Sequence, residues 1–152
     1  MAKSPKILIL NGPNLNMLGV RETAIYGPHS LADIKRMCAR RAKELGLALD
    51  FRQSNLEGEL VTWVQEARTG AAGIIINPGA YGHTSIALLD ALRMTNKPVI
   101  ELHLSNIFRR EAFRHHTYTS QAATSVICGL GAHGYVLAVD AMAELVSKKD
   151  NA

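Results

Sequence analysis

Residues 73–103 read GIIINPGAYGHTSIALLDALRMTNKPVIELH, and the order of elements inside this stretch decides the architecture. Gly73–Ile76 is a short, unbroken apolar run. It is closed by Asn77-Pro78-Gly79, a turn signal of the kind that ends a buried strand. His83–Met94 reads as a helix. Pro98–His103 reads as the next strand, with Pro98 at the first position, where its missing N–H removes no ladder bond. Strand, helix, strand in this order describes two parallel strands joined by a helical crossover.

The same alternation continues outward in both directions. Upstream lie a strand at Ile7–Leu10, a helix opened by Ser30 with Asp33 at the capping-box position, a strand at Leu47–Phe51 and a helix at Glu57–Arg68. In the Ser30 helix, Leu31, Ile34, Met37, Cys38 and Ala42 form an apolar stripe. In the Glu57 helix, Leu60, Val61 and Val64 point inward. Downstream, an irregular basic stretch runs to about Ser120, followed by a strand at Ser125–Cys128 and a helix at Ala132–Val146. The expectation is an α/β fold: a flavodoxin-like, doubly wound, five-stranded parallel sheet with helices on both faces. Such sheets bind ligands outside the carboxyl ends of their strands.

Composition bounds the function. The 152 residues amount to one domain, expected to span 1–152, with ordinary globular hydrophobic content. Seventeen basic and 13 acidic residues give a net charge of +4, which permits anionic partners without demanding nucleic acid. Cys38 and Cys128 form no C-x-x-C, so neither a disulfide scaffold nor a thiolate metal site is expected. No apolar run reaches the roughly 20 residues of a membrane span, and no signal peptide precedes Lys6. A soluble, cytoplasmic protein without membrane partners is the expectation.

Three strand ends concentrate chemistry. The first runs through Asn11-Gly-Pro-Asn14 into a long aperiodic loop, about 14–29, that holds Arg21 and Tyr26 and has the length of a lid. The second is Asn77-Pro-Gly-Ala-Tyr-Gly-His83, and the third is Glu101-Leu-His103-Leu-Ser105. Glu101, His103 and Ser105 alternate in strand register and share a face, so the carboxylate can orient the imidazole and support it as a general acid. A free phenol ionises near pH 10, so a base role for Tyr26 requires a cation beside it, and Arg21 shares its loop.

Other motifs fail for stated reasons. Gly129-Leu-Gly-Ala-His-Gly134 matches G-x-G-x-x-G, but no second strand or acidic partner follows, so its glycines are read as close helix–sheet packing. No Walker loop, metal-ligand spacing or G-x-S-x-G elbow occurs. None of Lys3, Lys6, Lys35, Lys43, Lys97, Lys148 and Lys149 sits in a strand-end loop, which argues against Schiff-base chemistry. Arg36, Arg40, Arg41 and Lys43 make one basic helix face. With few aromatics to stack bases, it is read as a solvated face or a subunit contact rather than an RNA site.

Ile7–Gly27, Arg52-Gln-Ser-Asn55, Glu57-Gly-Glu59, Asn77-Pro-Gly-Ala80, His83-Thr-Ser85, Glu101–Asn106, Arg110–Arg114, Gly129-Leu-Gly131 and Gly134-Tyr135 together resemble the type II 3-dehydroquinate dehydratases, in order, over about residues 6–146. The resemblance implies reversible dehydration of 3-dehydroquinate to 3-dehydroshikimate through an enolate, without a cofactor or metal. It implies that Tyr26 is the base, Arg21 its activator, Asn14 the holder of a water that stabilises the enolate, and His103, oriented by Glu101, the acid. Asn77, His83, the Leu104 backbone, Ser105 and Arg114 match substrate-binding positions, and Asp90 matches a residue reaching a neighbouring subunit's site. A dodecamer built from trimers is implied as well. Three positions depart from the family pattern: Gly82 for a usual Thr, expected to add backbone freedom beside His83; Ala112 for a common Glu, expected to remove a partner for nearby arginines; and Thr117 for a usual Ser, which keeps the hydroxyl.

Overall fold

A computed structural model describes residues 2–150 of the chain. Its strands are β1 (Lys6–Asn11), β2 (Ala48–Gln53), β3 (Gly73–Asn77), β4 (Val99–His103) and β5 (Ser125–Cys128). They form one parallel sheet in the order β2-β1-β3-β4-β5, the doubly wound arrangement expected from the alternation. The helices are α1 (Thr23–Tyr26), α2 (Leu31–Glu44), α3 (Glu57–Gly70), α4 (Ile86–Thr95) and α5 (Gly131–Asp150).

Because both faces of the sheet are covered, its inner strands are buried on both sides and mostly apolar, with polar side chains (Asn11, Asn77, Glu101, His103) gathered toward their carboxyl ends, and period-2 geometry sorts the apolar side chains into two cores. Ile7, Ile9, Ile75, Ile100 and Leu102 pack with Ile34 and Cys38 of α2 and with Tyr135, Val139 and Met142 of α5. Leu8, Leu10, Ile74, Ile76 and Val99 pack with Leu60 and Val64 of α3 and Leu88 and Leu92 of α4. The Ser30 capping box forms in both directions, at 3.0 and 3.1 Å. At Gly134, a Cβ would lie 3.2 Å from Leu102 Cδ1, the close helix–sheet approach expected of that glycine.

Several boundaries differ from the sequence reading. The helix expected over His83–Met94 is divided. Gly79–His83 is a 3-10 turn, and α4 begins at Ile86 because Ser85 caps it, its Oγ accepting from Leu88 N at 2.9 Å. The 14–29 loop contains a 3-10 turn at Leu15–Met17 and the single-turn α1, entered through left-handed Asn14 (φ 68°) and Glu22 (φ 38°). The basic stretch after β4 folds into three 3-10 turns, Ile107–Arg109, Ala112–Arg114 and Thr119–Ala122. Among the described residues, no helix is long and apolar enough to cross a membrane.

Candidate active site

The carboxyl ends of β1, β3 and β4 meet because the register aligns them: Asn11 pairs with Asn77, and Ile76 with Glu101. The loops leaving β1 and β3 touch. Gly12 N donates to Asn77 O at 2.8 Å, and a Cβ on Gly12 would fall 2.2 Å from Pro78 O, so only glycine allows this approach. Beneath them Tyr135, fully buried, donates to Asn11 Oδ1 at 2.7 Å and accepts from Asn77 Nδ2 at 2.9 Å. Burial pushes the Tyr135 phenol well above its ordinary pKa, which keeps it a donor. Asn77 Oδ1 accepts from Gly79 N at 3.2 Å, so its side chain is locked in orientation with one N–H uncommitted.

On β4, Glu101 and His103 are both buried, and His103 Nε2 lies 3.1 Å from Glu101 Oε2. That oxygen also accepts from Thr117 Oγ1 at 2.9 Å, while Oε1 accepts from Thr119 Oγ1. Burial alone raises the Glu101 pKa. The hydrogen bond and charge of His103, with the two threonine hydroxyls, outweigh it and hold the carboxyl below the ordinary glutamate range. An ionised Glu101 requires a proton on His103 Nε2, which leaves Nδ1 as the nitrogen that gains or gives up a proton. The His83 ring stacks 6.1 Å from that of His103, and His83 Nδ1 donates to His116 O at 2.8 Å. Desolvation by burial, opposed by that bond and reinforced by neighbouring cationic charge, holds His83 below the ordinary histidine value. It is therefore a neutral acceptor through Nε2 near pH 7.

The tyrosine is flanked by two arginines. Arg21 Cζ lies 5.0 Å and Arg110 Cζ 5.3 Å from the Tyr26 ring centroid. The phenol oxygen itself takes its hydrogen bond from Arg110 Nη1, at 3.0 Å, while Arg21 pairs with Glu22 at 3.3 Å. Arg110 Nη1 also reaches Ser105 Oγ at 3.4 Å. Sequence reasoning assigned the cation beside Tyr26 to Arg21 alone. Arg110 was visible only as part of a motif, because it lies 84 residues from Tyr26 and nothing local connects them.

A cavity of about 220 Å³ opens among these groups, lined by Asn14, Arg21, Tyr26, Asn77, His83, His103, Leu104, Ser105, Arg110 and Arg114. Glu101 stands behind His103. Asp90 does not line the cavity; it is exposed on α4. Arg114 is held by Glu111, whose Oε2 lies 2.8 Å from Arg114 Nε and 3.8 Å from Arg110 Nε, so the arginines keep a carboxylate partner beside Ala112. Gly82 is buried in its turn, its carbonyl accepting from Tyr118 N at 2.8 Å, and a Cβ there would lie 2.7 Å from Pro78 Cγ. That position is confined, not loose. On the basic face of α2, Arg36 pairs with Asp33, and Arg41 pairs with Glu44 and Asp140, which reduces its attraction for a polyanion. Among the described residues, no group of three or more His, Cys, Asp or Glu is arranged to hold a metal ion.

Residues 5–143 match the family described as Dehydroquinase class II. The chain is 58% identical over 139 residues to a 3-dehydroquinate dehydratase of Methylobacterium radiotolerans, covering 91% of this chain and 93% of the relative. It is 55% identical over 145 residues to the 3-dehydroquinate dehydratase 2 of Pseudomonas putida, covering 95% and 97%. The crystal structure of a type II dehydroquinase from Propionibacterium acnes superposes with a TM-score of 0.90 at 42% identity, covering 95% of this chain and 99% of that one.

Proposed function

The chain belongs to the class II dehydroquinase family, and from that premise we propose that it is a 3-dehydroquinate dehydratase working through an enolate, with Tyr26 as base and His103 as acid. The observation that carries the reading is a single cavity lined both by a phenol hydrogen-bonded to a guanidinium and by an imidazole hydrogen-bonded to a buried carboxylate. One arrangement suits proton removal and the other proton delivery.

The phenolate of Tyr26, stabilised by the Arg110 N–H and the nearby Arg21 charge, takes the proton from the carbon beside the ketone. The C–H electron pair moves into the ring and the carbonyl oxygen becomes an enolate. A water held at Asn14 donates to that oxygen. His103 then protonates the departing hydroxyl from Nδ1, water leaves, and the enolate collapses to the conjugated enone. The double bond formed is conjugated to the ketone, so side-chain acid–base chemistry suffices. Each proton transfer contributes about 10²–10⁴-fold, and positioning contributes much of the rest. Neutral His83 accepts from a substrate hydroxyl, the free N–H of Asn77 and Ser105 bind others, and Arg114 takes the carboxylate. In an assembly built from trimers, Asp90, exposed on α4, approaches a neighbour's cavity. The setting proposed is the reducing cytoplasm.

The test mixes purified protein with 3-dehydroquinate and follows the ultraviolet absorbance of the enone, with chelator and borohydride controls. The expected result is a rise that survives both controls and falls by about 10²-fold or more in Tyr26→Phe. No rise from folded protein refutes the activity, and near-normal turnover in Tyr26→Phe refutes the base assignment.

A further inference from the structure

Glu101 is fully buried and has two oxygens to satisfy. Oε2 receives two donors, His103 Nε2 at 3.1 Å and Thr117 Oγ1 at 2.9 Å. Oε1 receives one, the hydroxyl of Thr119, which is itself fully buried at the start of its 3-10 turn. That turn is tied to the one before α4 through Tyr118 N and Gly82 O at 2.8 Å. The Cβ that Gly82 lacks would stand 3.4 Å from Thr119 Oγ1, in ordinary van der Waals contact, so the two turns pack closely at this hydroxyl.

We propose that Thr119 is a positioning residue for the acid: its hydroxyl, among the described residues the one donor to Glu101 Oε1, holds the buried carboxylate in place as the acceptor for His103 and thereby fixes the Nε2–H tautomer of that imidazole. The inference rests on the dehydratase reading above. Without Thr119, one oxygen of a buried carboxylate has no donor, and the pair relieves this by taking the proton onto Glu101. A neutral Glu101 no longer supports the imidazolium. The charged and titratable groups around Glu101 are His103 on the same strand, His83 from the turn before α4, whose ring stacks on that of His103, and, beyond His83, Arg114 from the segment after β4. None of the three donates to Oε1, so none replaces the lost bond.

The test compares wild type, Thr119→Val (same shape, no hydroxyl) and Thr119→Ser (hydroxyl kept). Carbon-13 NMR follows the Glu101 carboxyl with pH in substrate-free protein, and turnover is measured across the same range. Loss of one hydrogen bond to a charged group is worth about one to two pH units, so the Glu101 titration in Thr119→Val rises by that much while Thr119→Ser stays near wild type. The wild-type to Val ratio of kcat grows as pH falls from 8 to 5, with KM little changed. A ratio independent of pH, an unmoved Glu101 titration in Val, or a folded Ser variant that behaves like Val overturns the proposal. If Val does not fold, Thr119→Ala takes its place: a Glu101 titration raised by the same amount supports the proposal, and one unchanged from wild type overturns it. An inactive wild type whose NMR shifts behave as stated defeats the dehydratase reading and leaves the role of Thr119 toward Glu101 intact.

Discussion

Replacing Tyr135 by Phe removes one oxygen from the centre of the molecule and keeps the ring. The phenol spans Asn11 at the end of β1 and Asn77 at the end of β3, as donor to one at 2.7 Å and acceptor from the other at 2.9 Å. Asn11 is 0% and Asn77 3% exposed, so neither finds water once the hydroxyl is gone. Each then carries a buried polar atom without a partner, at about 1–3 kcal/mol apiece, so a loss of about 2–4 kcal/mol is expected, allowing for partial rearrangement. Against a typical total of about 5–15 kcal/mol this is a large fraction, and in a chain of this length it lowers Tm by roughly 5–15 °C. Urea unfolding at fixed protein concentration measures it, with Tyr135→Leu separating loss of the hydroxyl from loss of the ring. Because the same bond orients Asn77 in the cavity, KM for dehydroquinate rises in Tyr135→Phe more than kcat falls. A stability loss under about 0.5 kcal/mol, with KM unchanged, refutes the claim that this hydroxyl is the keystone between the two strand ends.

Arg110→Met removes the guanidinium that donates to the Tyr26 oxygen at 3.0 Å and leaves Arg21 in place. At the worth of a hydrogen bond to a charged group, kcat/KM falls about ten- to a hundred-fold, and a change within twofold assigns the phenol's support to Arg21 instead. Glu101 gives a pH signature in stability. Its folded pKa lies below the ordinary 4.5, so the unfolded chain binds more protons between the two values, and this stabilisation is complete above about 4.5 and disappears as pH falls through the folded value. Wild type therefore loses more stability than Glu101→Gln between pH 6 and pH 3 in urea melts, and parallel losses contradict the assignment. Cys38, buried in the core with its thiol pushed up to about 12 by desolvation, stays unmodified by a thiol reagent at pH 8 until the protein unfolds. Rapid labelling of Cys38 in native protein contradicts that burial.

The fold was legible because its determinants are local and periodic. Unbroken apolar runs such as Gly73–Ile76, turns such as Asn77-Pro78-Gly79 and the Ser30–Asp33 capping box fix element type over a few residues, and their alternation leaves few parallel arrangements. The identity of the strand ends that meet followed from the same rule. Of the residues that strand ends and resemblance point to, Asn14, Arg21, Tyr26, Asn77, His83, His103, Leu104, Ser105 and Arg114 line one cavity, Glu101 is bonded behind His103, and Asp90 lies outside it, exposed on α4. What the sequence could not determine is pairing at a distance. Whether Arg21 or Arg110 reaches the Tyr26 oxygen, whether Thr119 closes the second oxygen of Glu101, and whether Tyr135 on the last helix bridges Asn11 and Asn77 depend on contacts between residues 18 to 124 positions apart. No periodicity encodes those contacts. They exist only after the sheet and its helices have packed, when hydrogen-bond distance and burial decide which polar groups meet.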